Sequence, residues 1–262
     1  MEPFSALVRP PGISFPKAIS SHPQKNGINY AKALSQHRHY VDALKQMGGK
    51  VLSLPPEDSL PDSTFVEDTA FIYGQKAFLC SAKEKTRRNE VASVAKVLKD
   101  HMEILQLKPY LDGGDILNTP EVVFAGLSSR TDAKAIQFLS EQISKKVVPV
   151  KVLKGLHLKS SVSYLGKNVL LINPGRVDAN PFKNFKWIEV EEKDSYAANC
   201  LALGNRVIMP AGFQKVNEKI RQYGFETIEF KVTDGSLSSE IGIVSLQAVS
   251  YTHLTLPTIL LV

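Results

Sequence analysis

YLDGGDIL, residues 110–117, is a short apolar stretch broken by acidic groups, and four other stretches along the chain share its build. They read FVEDTAFIY at 65–73, GLHLKSSVSY at 155–164, YAANCLAL at 196–203 and TDGSLSSEIGIVSL at 233–246. Their polar positions, Asp68, Asp112, His157, Asn199 and Ser239, stand 44, 45, 42 and 40 residues apart. Spacing this regular marks a structural repeat, with each stretch an apolar strand carrying one polar interruption.

The surroundings of each anchor recur as well. A turn residue opens a second strand: Gly74 before KAFLC, Glu121 before VVFAG, Gly166 before NVLLIN and Gly204 before RVIMP. Apolar residues at helical spacing follow, with Val91, Val94, Ala95 and Leu98 in 88–99, Ala135, Phe138, Leu139 and Ile143 in 132–143, and Val216, Ile220 and Tyr223 in 214–223. A third strand closes each unit, as EILQL, KVVPVKV, KWIEV and ETIEFKV, and the fourth helix, in 177–185, is short and holds Pro181. The Ser239 unit lacks a helix and closing strand, while the N-terminus has a spare set: a strand at 5–9, a helix at 28–47 with Ala31, Leu34, Tyr40, Val41 and Leu44 inward, and a strand at 50–54. The pattern predicts an α/β protein, a five-bladed α/β propeller of ββαβ-type repeats whose last blade is completed by the N-terminus. Closing the ring removes the edges that an ordinary open α/β sheet, the alternative, would leave exposed.

Composition narrows the class further. At 262 residues, 43% hydrophobic and 22% charged, the chain can bury a full core as one domain, predicted over 1–247. No run of 18 apolar residues occurs and MEPFSALVRPPG lacks the pattern of a signal peptide, so no membrane partner and a cytoplasmic location are expected. Cys80 and Cys200 fall in predicted strands, Cys80 in an outer one, as buried reduced thiols rather than a disulfide or metal site. The net charge of +6 lies on lysines spread over helix faces, without the basic stripe and interleaved aromatics of a nucleic-acid binder.

If the anchor strands line the centre of a ring, their polar groups face one another across a channel. Asp62, Glu67 and Asp68 in PDSTFVED then form an acidic cluster that matches a planar guanidinium, although Asp62, after Pro61, equally suits a turn or cap. Asp112 and Asp115 flank paired glycines that allow close backbone approach or a tight turn. His157 sits between leucines, where a core histidine is the ordinary occupant; its register with Asp68 and Asp112 points instead to a base and its orienting acid. Arg87 and Arg130 occupy equivalent places between a second strand and its helix, so together they can clamp a carboxylate, whereas either alone reads as a solvated first-turn residue.

In order and spacing, PDSTFVED, TRRNE, LDGGDIL, GLSSRT, GLHLKS, AANC and KVTDGSL resemble the dimethylarginine dimethylaminohydrolase family of the guanidino-group-modifying superfamily, over nearly all of 6–237. That resemblance implies a five-bladed α/β propeller hydrolysing asymmetric dimethylarginine or monomethylarginine to citrulline and an alkylamine, without metal or organic cofactor. It assigns Asp62, Glu67 and Asp68 to the substrate guanidinium and Arg87 and Arg130 to its α-carboxylate, with Thr233 in the substrate-binding set and Phe15 in a mobile lid. His157 becomes the general acid and base, and Asp112 the carboxylate that orients it. The implied partner is a small-molecule methylated arginine, and both monomer and homodimer stay open. Two alternatives also stay open: an arginine deiminase-like enzyme acting on free arginine, and a non-catalytic binder of arginine derivatives.

One departure from the family pattern bears directly on the reaction. The family's nucleophile is a cysteine in a segment like DGxLTC, and the matching DGSLSS at 234–239 places Ser239 there. A hydroxyl is far from ionised near neutral pH, so the printed chain is expected to be impaired. Residues 249–258, VSYTHLTLPT, back-translate into a transposase sequencing adapter, so 248–262 is expected to be a non-native tail and the last blade around Ser239 corrupted. The apolar end of that tail, TLPTILLV, is expected to be disordered or loosely packed.

Overall fold

The computed structural model describes residues 4–20, 27–230 and 258–261. In chain order its elements are β1 (Phe4–Val8), α1 (Tyr30–Gln46), β2 (Gly49–Ser53), β3 (Ala70–Tyr73), β4 (Lys76–Leu79), α2 (Val91–Leu98) and β5 (Glu103–Gln106). They continue with β6 (Ile116–Asn118), β7 (Val122–Leu127), α3 (Ala133–Gln142), β8 (Lys146–Lys151), β9 (Val162–Gly166), β10 (Val169–Ile172) and β11 (Lys186–Glu189). The last are β12 (Leu201–Leu203), β13 (Arg206–Pro210), α4 (Gln214–Gln222), β14 (Glu226–Phe230) and β15 (Thr258–Leu261).

Among the described residues these strands form five separate three-stranded sheets, four mixed and one, β15-β1-β2, all parallel. In four of them the first two strands form an antiparallel hairpin and the third joins in parallel, β3-β4-β5, β6-β7-β8, β9-β10-β11 and β12-β13-β14. A parallel third strand needs a crossover, which is what α2, α3 and α4 supply. Three of the four hairpin turns use left-handed residues, Gly74 at φ 59°, Gly204 at φ 60°, and the pair Lys167 and Asn168 at φ 51° and 60°, because that twist matches the strands they join. Asn168 steadies its strained turn by donating from its side chain to the Asn184 carbonyl.

Neighbouring sheets share their cores. Leu79, Val94 and Leu98 pack in one cluster with Leu7 and Leu54 on one side and with Ala125, Ala135 and Leu139 on the other. Leu165 and Val169 share a cluster with Val207 and Met209, and Leu201, Leu203 and Ile208 meet Phe4, Ala6 and Val8. The first sheet is thereby in contact with both the second and the fifth. Asn29 caps α1 by accepting from the Lys32 amide at 3.0 Å. The buried face of that helix carries Ala33, His37, Tyr40, Ala43 and Leu44; Ala31, expected inside, is exposed and Leu34 is half-buried.

Three expectations need correction. The polar anchors do not interrupt strands: Asp68 lies in a 3-10 turn, Asp112 and His157 immediately precede one, and Asn199 follows one, each at the entrance to its sheet's first strand. A turn lets the side chain reach the centre without placing a polar group on an apolar face. Cys80 directly follows β4, the middle strand of its sheet, rather than lying in an outer one. Finally, Thr258–Leu261 is ordered as β15, parallel to β1 with Phe4 opposite Thr258 and Leu7 opposite Leu261. An apolar, β-branched run satisfies the strand edge that β1 would otherwise leave unpaired. It occupies the place held by a hairpin partner in the other four sheets, but with the opposite strand direction.

In the fourth repeat a single 3-10 turn, Asn180–Phe182, stands where the others have a helix. Phe182 fills the gap, fully buried against Phe124 at a ring-centroid distance of 4.6 Å. Phe182→Ala should therefore lower the unfolding free energy by ~3–5 kcal/mol, read from the midpoint of urea denaturation.

Candidate functional site

The turns before β3, β6 and β9 converge, and their side chains make one buried network. His157 Nε2 lies 3.0 Å from Asp112 Oδ2 and 4.0 Å from Asp68 Oδ1. Asp68 Oδ1 also accepts from the Gly114 amide at 3.1 Å. Gly114 is obligatory for this approach, since a Cβ there would stand 2.6 Å from Asp68 Oδ1 and 2.9 Å from the His157 ring. At Gly113 a Cβ would collide with the Glu67 carbonyl. Neither glycine has a positive φ, so close approach rather than turn geometry explains the DGGD pair.

Asp115 does the bracing. Its Oδ1 accepts from the Leu158 amide at 2.9 Å and its Oδ2 from Ser128 and Thr131, each at 2.6 Å. The turn carrying His157 is thus tied to the loop carrying Arg130. Burial lifts the Asp115 carboxyl above its ordinary value despite the opposing pull of His157 and the two hydroxyls.

Arg87 is buried and its guanidinium faces inward. Nε and Nη2 donate to Glu90 at 3.1 and 2.9 Å, while Nη1 donates to Asp68 at 3.0 Å and lies 3.9 Å from Asp112. The Phe65 ring covers it, with Cζ 5.7 Å from the centroid. Phe15 packs next to Phe65 at 6.2 Å and is itself buried. Asp62 accepts from the Ile19 amide at 3.0 Å, pinning the segment that carries Phe15 across the acidic cluster. Arg130 is buried with Nη1 3.3 Å from Glu84 but without hydrogen-bond geometry there. Glu67, fully buried, pairs with the equally buried Lys159.

The charges follow from these contacts. Burial alone would lower the His157 imidazole, yet Asp68, the bond to Asp112 and Asp115 raise it to about 9. The same burial would raise Asp68, but His157 and Arg87 hold it below the ordinary carboxylate value. Burial pushes Glu90 up to about 7 against the pull of Arg87, and raises Asp62 as well. At neutral pH His157 is therefore an imidazolium able to donate a proton. Asp68, Asp112 and His157 bring their ligand-type atoms within 4.8 Å of one another, a spacing that would suit a metal ion. The Arg87 guanidinium already supplies a cation between those carboxylates.

Comparison with known proteins places this arrangement. The chain matches the family described as N,N dimethylarginine dimethylhydrolase, eukaryotic, over residues 15–236. It belongs to the dimethylarginine dimethylaminohydrolase family. The N(G),N(G)-dimethylarginine dimethylaminohydrolase of Pseudomonas aeruginosa is 33% identical over 245 residues, covering 88% of this chain and 96% of that protein. Its counterpart in Streptomyces coelicolor is 30% identical over 244 residues, covering 89% and 94%. Among solved structures, a cysteine-to-serine variant of the Pseudomonas enzyme complexed with citrulline superposes with a TM-score of 0.82 at 30% identity, covering 87% of this chain and 92% of that one.

Of the residues that the family motifs single out, the structure links Asp68, Arg87, Asp112 and His157 directly, pairs Glu67 with Lys159, holds Asp62 to the Ile19 amide, and joins Arg130 to Asp115 through Ser128. Thr233 and Ser239 lie outside the described residues. Cys80 lines a small pocket with Asp68, Arg87, Glu90 and Asp112, and burial raises its thiol well above the ordinary value, so it stays protonated. Two members of the group were not singled out from the sequence. Glu90 is three residues after Arg87 in TRRNE, the spacing of an ion pair on one helical turn. Lys159 carried no signal beyond its place in GLHLKS.

A histidine held charged by the fold stabilises it below its unfolded value of 6.5 and loses that contribution as pH rises through about 9. Titration of His157 by NMR should give a midpoint near 9. Asp68→Asn should move that midpoint down, and the unfolding free energy of the unaltered protein should decline across the same interval.

Proposed function

We propose that this chain is built to cleave a C–N bond in the side chain of a methylated arginine, giving citrulline and an alkylamine. The observation that carries the reading is the charge balance of the site. Six buried carboxyl groups, Asp62, Glu67, Asp68, Glu90, Asp112 and Asp115, face three buried basic side chains, Arg87, Arg130 and Lys159, together with His157, while the fourth buried cation, Arg9, is paired with Glu57. Uncompensated buried acids are costly, and a planar guanidinium supplies the missing charge with matching donors. The dimethylaminohydrolase activity for which the Pseudomonas relative is named and the citrulline complexed with its cysteine-to-serine variant support the same substrate class.

In this reading the five sheets are the blades of a propeller, with 1–247 as its single domain and 248–262 as a non-native tail. The substrate guanidinium sits on Asp68, Glu67 and Asp62 at the centre, its α-carboxylate is held by Arg87 and Arg130, and Thr233 completes the binding set. Phe15 lies in the segment over the site. A nucleophile at position 239 adds to the guanidinium carbon, and the C–N bond to the alkylamine breaks as His157, oriented by Asp112, gives that nitrogen a proton. Water, deprotonated by the now neutral His157, then cleaves the covalent intermediate to citrulline.

Ser239 makes the printed chain a binder rather than a fast catalyst, because its hydroxyl does not ionise as a thiol does. That a cysteine-to-serine relative retains citrulline supports this second reading. Ser239→Cys should raise citrulline formation from asymmetric dimethylarginine by ~10^3-fold or more, as expected when a nucleophile is restored to an assembled site. Adding His157→Ala should then lower kcat by ~10^2–10^4-fold, the usual share of a general acid and base. Citrulline release that is no faster in the cysteine variant would refute the assignment of position 239.

A further inference from the structure

The group that the acidic seat is proposed to bind is also present inside the chain. Arg87 carries a guanidinium whose Nη1 is already 3.0 Å from Asp68 and 3.9 Å from Asp112. It is the unmethylated form of the substrate's proposed headgroup, so it can compete for the seat. What stands against that competition is Glu90. It takes the opposite edge of the guanidinium, with Nε at 3.1 Å and Nη2 at 2.9 Å on the same carboxylate oxygen and Nε also 3.2 Å from the other.

Resting on the function proposed above, we infer that Glu90 is a positioning residue that tethers Arg87 on its own edge of Asp68 and 3.9 Å short of Asp112, so that the Arg87 guanidinium does not move further into the seat proposed for a substrate guanidinium. The local fold makes the tether rigid. Arg87 ends the 3-10 turn Lys85–Arg87, Glu90 immediately precedes α2, and the Glu90 amide donates to the Arg87 carbonyl at 3.0 Å. The spacing of the two side chains is therefore set by one turn of backbone. Phe65 closes the remaining face. With the tether cut, the shortest path for the Arg87 charge is the 3.9 Å gap to Asp112, which also brings it against the carboxylate that holds His157.

The test is calorimetric titration of the full chain and of Glu90→Gln with L-arginine, agmatine and L-citrulline, together with NMR titration of His157. Arginine and agmatine carry the cationic headgroup and citrulline does not. Glu90→Gln should weaken arginine and agmatine by ~10-fold, the scale of one charge-assisted hydrogen bond lost to an internal competitor, and should affect citrulline less. It should also lower the His157 midpoint, because a second cation moves onto Asp112. A purely structural role would lower the melting temperature, weaken all three ligands alike and leave the midpoint in place; that result, or unchanged arginine affinity, overturns the tether. If the unaltered chain binds none of the three, the proposed function fails. The His157 midpoint then decides the tether by itself: a downward shift upholds it and an unmoved midpoint rejects it.

Discussion

Burying several carboxylates at one point is the constraint on which this structure turns. Each would be costly alone, and the fold answers with cations placed individually: Arg87 for Asp68 and Glu90, Lys159 for Glu67, and protonated His157 for Asp112 and Asp68. Removing one member leaves its partner buried and uncompensated. The network therefore behaves as a unit, and its excess of acidic groups is the basis of the proposed guanidinium seat.

The architecture serves this convergence. Four of the small sheets start with a strand whose entrance turn delivers a polar group, so Asp68, Asp112 and His157, far apart in sequence, reach one another without a strand position turning polar. Glycine makes the closest approach feasible, as Gly114 between Asp68 and His157 illustrates. Asp115 then fixes the distance between two turns through three hydrogen bonds. Among the described residues no helix is long and apolar enough to cross a membrane.

β15 marks where the repeat logic yields to a simpler rule. The other sheets pair their first strand antiparallel through a hairpin, whereas Thr258–Leu261 lies parallel to β1. A strand edge beside an apolar core accepts a suitable apolar run in whichever direction the chain presents it. Order in this segment therefore says nothing about its origin, and the reading of 248–262 as adapter-derived rests on its sequence alone.

Much of the protein was legible from its residues because the information is local. The 42-to-45-residue spacing of Asp68, Asp112, His157 and Asn199 located the repeats, and helical periodicity located the four α-helices of the described residues, with only a 3-10 turn around Pro181. Motif content gave the family. The sequence could not supply the charge pairings, within a repeat or between repeats. Lys159 meets Glu67 across 92 residues, and Arg87 turns to Asp68 and Glu90 instead of presenting a free guanidinium. It also misplaced the anchors within strands and Cys80 on an outer strand, since a polar residue followed by an apolar run looks alike whether a turn or a strand holds it. By itself the sequence determined the period, the composition of the site and the serine at position 239. Tertiary structure decided which charges neutralise one another, because that depends on how the five sheets bring their entrances together, and no local pattern encodes that distance.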